Sequence, residues 1–208
     1  MQYPVQLFQL SEHLSLYLPI PGEIRNTYEK ILVTNPDTAF PFWAKVWASA
    51  EALTSYLASK PELIKGKQIL EIGAGTGVPS FSIAHIAGEL IISDHSGEAV
   101  ELMEKNIAHL GLINVKAMCL DWNDFPETVK ADTLLLSDIN YAPDQFDPLL
   151  ALIHRFLIEG TIVVIATPQR LMGTSFLLQL GPYIRLNEIK NEEGVDISLL
   201  VLSEKSVD

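Results

Sequence analysis

The sequence predicts an α/β fold: a doubly wound, mostly parallel sheet with a C-terminal antiparallel hairpin and a short N-terminal β extension. Three observations lead there. From Gln68 onward, short apolar runs alternate with stretches of helical spacing, and the runs are almost continuously apolar, as strands covered on both faces are. A glycine-rich turn, Gly73 to Gly77, follows the first of those runs without a break. Near the end, Tyr183 to Ile189 and Val195 to Leu202 flank the polar stretch Lys190-Asn191-Glu192-Glu193-Gly194, which reads as a hairpin.

In the lead-in, 1–40, Leu14, Leu16 and Leu18 alternate with polar or amphipathic neighbours. That is a half-buried strand, and Val5, Leu7 and Phe8 supply a partner. Pro19, Pro21 and Gly22 then break the pattern. The core, 41–208, begins with a helix over Ala48 to Leu57 that aligns Ala50, Leu53, Tyr56 and Leu57 and is stopped by Pro61. Gln68 to Ile72 is a strand, and a helix runs from the glycine turn to about Ala87. Leu90 to Ser93 is the next strand, followed by a helix carrying Val100, Met103, Ile107 and Leu110. Val115 to Leu120, Thr133 to Leu136 and Thr161 to Ala166 are further strands, the last two separated by a helix at Leu149 to Leu157. A chain of 208 residues without internal repeats is expected to form one domain.

Fourteen basic against 26 acidic residues leave a formal charge of −12. That field repels phosphate-rich partners, so nucleic acid is not the expected partner. It suits a basic or cationic substrate equally as well as it suits simple solubility. No apolar run approaches the roughly 18 residues needed to cross a bilayer, so no membrane partner is expected. Met1 to Leu10 has no basic residue ahead of an apolar stretch and does not read as a secretory signal. The single cysteine, Cys119, excludes an internal disulfide and agrees with a reducing, cytoplasmic setting; its place in a strand implies burial. The five histidines are scattered without ligand spacing, so no metal site is expected.

The strongest chemical signal is Glu71-Ile72-Gly73-Ala74-Gly75-Thr76-Gly77. Glycines at Gly73 and Gly75 let the backbone turn sharply and approach a ligand closely. Asp94 ends the following strand, where a carboxylate can accept hydrogen bonds from both hydroxyls of a ribose. A dinucleotide fingerprint needs a glycine where Val78 stands. Glu71 would also sit poorly beside a diphosphate and well beside the amino group of a methionine moiety. Asp138, past the fourth core strand, lies where open α/β sheets bind ligands, or else simply caps a helix.

Glu71 to Gly77 resembles the acid-x-Gly-x-Gly-x-Gly motif of class I S-adenosylmethionine-dependent methyltransferases. The resemblance implies a Rossmann-like, seven-stranded sheet whose last strand is inserted antiparallel. It also implies S-adenosyl-L-methionine as cofactor. Pro41-Phe42-Trp43-Ala44-Lys45-Val46-Trp47 is similar to the opening of the seven-β-strand protein-lysine methyltransferases, nearest to the branch that modifies the β-subunit of electron-transfer flavoprotein. Leu120-Asp121-Trp122 resembles that family's Leu-x-Trp segment, and Asp138-Ile139-Asn140-Tyr141 matches its Asp-x-x-Tyr motif. Trp47-Ala48-Ser49 departs from the Trp-Pro of many relatives.

The resemblance implies that Trp47, Glu71, Gly73, Gly75, Asp94, Asp121 and Trp122 bind the cofactor, with Asp121 and Trp122 at the adenine. Core packing for Trp43 and Trp47 and a turn role for Asp121 are the plainer readings. Asp138 would hold an amine and Tyr141 would shape the site as catalytic residues. A nearby carboxylate keeps an amine of pKa about 10.4 charged and unreactive. A sulfonium at ~4 Å and an effective dielectric of ~20 opposes this by about 4 kcal/mol. The expected function is methyl transfer to a lysine side chain of a protein. A small-molecule N-methyltransferase and a non-catalytic binding partner of the same fold are the alternatives.

Overall fold

Alternating exposure of apolar side chains to the two faces of one sheet builds the architecture. The computed structural model describes residues 2–140, 142–170 and 173–204. Strands β1 (Val5–Ser11) and β2 (Leu14–Pro19) form a separate antiparallel pair, followed by helix α1 (Pro21–Thr34). Helix α2 (Ala48–Ser59) leads into β3 (Gln68–Ile72), α3 (Val78–Ile83), β4 (Glu89–Asp94), α4 (Gly97–Leu110) and β5 (Val115–Cys119). After β6 (Thr133–Ser137) come α5 (Phe146–Ile158), β7 (Ile162–Pro168), α6 (Thr174–Leu180), β8 (Ile184–Glu192) and β9 (Val195–Leu202). The main sheet is seven-stranded in the order β5-β4-β3-β6-β7-β9-β8, with β9 antiparallel to both neighbours.

Ile69, Leu135 and Val164 point into one core with Leu53 and Leu57 of α2, Phe81 of α3 and Met103 of α4. Leu70, Leu134 and Val163 point into the other with Leu149, Ile153 and Phe156 of α5 and Phe176 of α6. Period-two alternation with both faces apolar is why these strands read as continuous hydrophobic runs. The N-terminal pair docks by Leu16 and Leu18, which enter the first core. A polar clamp fixes its position. Buried Asn106 of α4 accepts from the Tyr17 N–H at 2.7 Å and donates to the Tyr17 carbonyl at 3.0 Å.

Several expectations need correction. Helix α1 was not anticipated; the strand pattern does stop at Pro19, and Pro21 then sits in the first turn of the helix, where its missing N–H costs nothing. The helix after the glycine turn ends at Ile83, not near Ala87. Helix α4 buries Ala99, Leu102, Met103 and Asn106, a face rotated from the expected one. The β8–β9 strands continue inward to Glu192 and Val195, leaving Glu193-Gly194 as the turn. Cys119 is exposed, because β5 is the edge strand; its thiol donates to the His95 carbonyl. Among the described residues, no helix is long and apolar enough to cross a membrane.

Candidate active site

Sheet order puts the chemistry at one edge. Strands β3 and β6 are parallel neighbours, and the chain winds outward from them in opposite directions. Loops leaving their carboxyl ends therefore diverge and open a crevice at this switch point. Gly73, Asp94, Asp121 and Asp138 lie at or just beyond the carboxyl ends of β3, β4, β5 and β6.

Three cavities share walls there. The central one, about 320 Å³, is lined by Trp43, Trp47, Gly73, Gly75, Asp94 and Asp138, among others. A second, about 250 Å³, shares Gly73, His95 and Trp122 with it and adds Asp121 and Gln145. The third, about 640 Å³, shares Lys45, Trp47 and Asp138 and adds Arg170, Glu193 and Asp196. The three cavities adjoin one another through these shared wall residues.

The protein's own packing requires glycine at two positions of the turn. Gly75 has φ +55°, and a Cβ there would stand 3.0 Å from the Trp43 carbonyl oxygen. A Cβ on Gly73 would stand 3.1 Å from the Ile139 side chain and 3.6 Å from Trp122, inside the cleft. Asp94, 4% exposed, accepts from the Gly75 N–H and the Ser96 N–H, each at 2.9 Å. Each carboxylate oxygen has a second lone pair, so two ligand hydroxyls can still be accommodated. His95 Nδ1 lies 3.3 Å from the same carboxylate. These features fit a nucleoside with a free vicinal diol.

The Trp122 indole donates to Gln145 at 3.0 Å, which fixes its plane at the cleft wall. Asp121 accepts from the Asn123 N–H and side-chain amide, and chiefly the backbone bond holds its carboxyl below the usual range. The Asx-turn reading and the wall position thus coexist. Trp47 lines the central and outer cavities; its indole donates to the Phe42 carbonyl at 3.0 Å, and Lys45 Nζ sits 4.4 Å over its ring.

Glu71, expected at the ligand, is 1% exposed, and its carboxylate accepts from both the hydroxyl and the N–H of Ser80 in α3. Its other oxygen, Oε1, is buried with no hydrogen-bond partner. Burial pushes the carboxyl up to about 7 against the opposing Ser80 bonds. Tyr141 lies outside the described residues.

Asp138 faces the cleft, and its carboxylate is paired two-for-two with Arg170, at 2.6 and 3.2 Å. Arg170 went unnoticed in the sequence, since nothing near it marks a motif. The pairing of Ser137 with Ala166 across β6 and β7 is what carries it to Asp138. Among the described residues, no group of His, Cys, Asp and Glu is arranged to hold a metal ion.

A family model described as lysine methyltransferase matches residues 28–180, well over half of the chain. A histone-arginine methyltransferase of Homo sapiens is 32% identical over 117 residues, covering 52% of this chain and 60% of that protein. The electron transfer flavoprotein beta subunit lysine methyltransferase of Mus musculus is 29% identical over 144 residues, covering 62% of this chain and 51% of that protein. The chain thus spans 60% or less of the length of these two relatives. Among solved structures, magnesium protoporphyrin IX methyltransferase of Synechocystis, with bound S-adenosylmethionine, is similar at TM-score 0.59. The two share 15% identity, over 88% of this chain and 93% of that one. A tRNA (uracil-54, C5)-methyltransferase of Pyrococcus abyssi is similar at TM-score 0.64 and 11% identity, over 95% and 44%. These two likenesses describe the fold. With the seven-stranded sheet, the glycine turn and the family match together, the chain belongs to the lysine methyltransferase family.

Proposed function

We propose that this chain transfers a methyl group from S-adenosyl-L-methionine to the side-chain amine of a lysine in a protein. The observation that carries the reading is the set of adjoining cavities, with the glycine turn and Asp94 on the central one and Asp138 on the wall shared by the central and outer ones. When bound, the cofactor supplies an electrophilic methyl on a sulfonium. Asp94 is assigned to the ribose hydroxyls, Gly73 and Gly75 to close backbone approach, and Trp122 with Asp121 to the adenine. Trp47 is assigned to the methionine end. Glu71 supports the turn from behind through Ser80.

The work left to the protein is positioning, which can contribute ~7–11 kcal/mol by holding reactants in line. Asp138 and Tyr141 are assigned to orienting the acceptor. Glu193 and Asp196 on the outer cavity favour a basic protein segment, as does the charge of −12. We place the whole activity in one domain, with 41–208 as its core and 1–40 as lead-in, acting in the cytoplasm. Relatives named for arginine modification make a guanidinium the competing acceptor. Asp138, however, already spends two hydrogen bonds on the guanidinium of Arg170.

Incubation of the purified protein with isotope-labelled S-adenosylmethionine and a cell lysate, followed by peptide mass spectrometry, tests this. Label on lysine is the expected result. Label on arginine or on small molecules replaces the acceptor, and no transfer to any acceptor overturns the enzymatic reading.

A further inference from the structure

The Asp138–Arg170 pair has features that an acceptor-holding carboxylate alone does not require. Asp138 has φ +53°, a left-handed conformation uncommon outside glycine, and its N–H donates to the Ala166 carbonyl at 2.9 Å. Its side chain is 9% exposed. Arg170 comes from equally fixed backbone. The Gln169 N–H donates to the Asp196 carbonyl and the Gly173 N–H to the Arg170 carbonyl, while the Gln169 amide donates to Ser198. The pair stands where the central and outer cavities meet. The other charged or titratable groups on those walls, among the described residues, are Lys45, Asp94 and His95 on one side and Lys45, Glu193 and Asp196 on the other.

We propose that Arg170 is a positioning residue that neutralises Asp138, so that the carboxylate orients an entering amine without holding it as an ammonium ion. The inference rests on the methyltransferase reading above. A carboxylate offers about four lone-pair sites, and the guanidinium fork takes two, leaving about two for an entering donor. An isolated carboxylate within ~4–6 Å would raise an amine's pKa by about 1–3 units, whereas a compensated pair presents little net charge. The tension between orienting an amine and keeping it unreactive is thereby relieved within the protein. Arginine suits this task because it stays charged at any working pH and fixes the carboxylate plane.

The test uses n-butylammonium chloride as a lysine side-chain probe. Its binding to the full chain is read by ligand-observed NMR, with and without S-adenosylhomocysteine. Arg170→Gln exposes the carboxylate, so its affinity for the cation should rise roughly tenfold over wild type, as expected when an attractive charge loses its competitor. Adding Asp138→Asn to that variant should abolish the gain. Asp138→Asn alone leaves Arg170 uncompensated and should weaken binding below wild type, a comparison that holds even if Arg170→Gln fails to fold. If the pair only braces the loop, its variants bind the probe equally or more weakly at Arg170→Gln, and that result overturns the proposal. Failure of wild type to bind S-adenosylhomocysteine would instead refute the proposed function and leave the probe comparison readable.

Discussion

Glu71 shows how one side chain couples the turn to the pH of the solution. Its carboxyl is raised to about 7 by burial, whereas an unfolded glutamate titrates near 4.5. Between those values the folded state binds more protons than the unfolded state, so stability falls as pH rises through this window. The loss approaches about 3 kcal/mol once the pH exceeds the folded value. Glu71→Gln keeps the Ser80 interaction with a neutral group and removes the dependence. Urea unfolding at pH 5 and pH 8 should therefore show wild type losing several times more stability than the variant. Parallel losses in both proteins would mean that Glu71 is ionised throughout.

At the scale of elements, the N-terminal strand pair is held by a side chain no apolar pattern reveals. Asn106 is fully buried and satisfies both backbone groups of Tyr17. Replacing it by alanine leaves a part-buried donor and acceptor without this partner, at up to about 1–3 kcal/mol each before water or relaxation compensates. Asn106→Ala should cost about 2–4 kcal/mol in chemical unfolding while leaving cofactor binding within twofold. A cost below about 0.5 kcal/mol, the ordinary range for surface changes, would show that the strand pair is held by Leu16 and Leu18 alone. The same example explains what the sequence made legible. Strands β3, β4, β6, β7 and β9 bury alternate residues in two apolar cores and were readable as uniform runs. Helix α1 buries only Ile24 and offers no stripe to read. The glycine turn and Asp94 were legible from local spacing, and Trp122 only through the family resemblance of Leu120-Asp121-Trp122. Arg170 was not, because its partner is 32 residues away and only the β6–β7 register joins them.

For the whole molecule, the charge of −12 includes acids beside the outer cavity. Glu193 and Asp196 border the outer cavity, and burial followed by the neighbouring Glu193 and Glu192 raises the Glu51 carboxyl above its usual range. If the acceptor is a basic protein, as proposed, its attraction is screened by salt over ~8–10 Å at physiological strength. On the acceptor found by labelling, KM should rise at least about threefold between 50 and 300 mM salt, with kcat nearly unchanged, as for electrostatically steered encounters. A salt-insensitive KM would assign recognition to apolar contacts. The sheet order, the crevice at its switch point and the turn that closes it also make a joint claim about the ligand. Calorimetric titration with S-adenosylhomocysteine tests that claim most directly. The account predicts saturable binding to wild type and at least tenfold weaker binding, about 1.4 kcal/mol, to a folded Asp94→Ala variant. A folded wild type that binds nothing would contradict it.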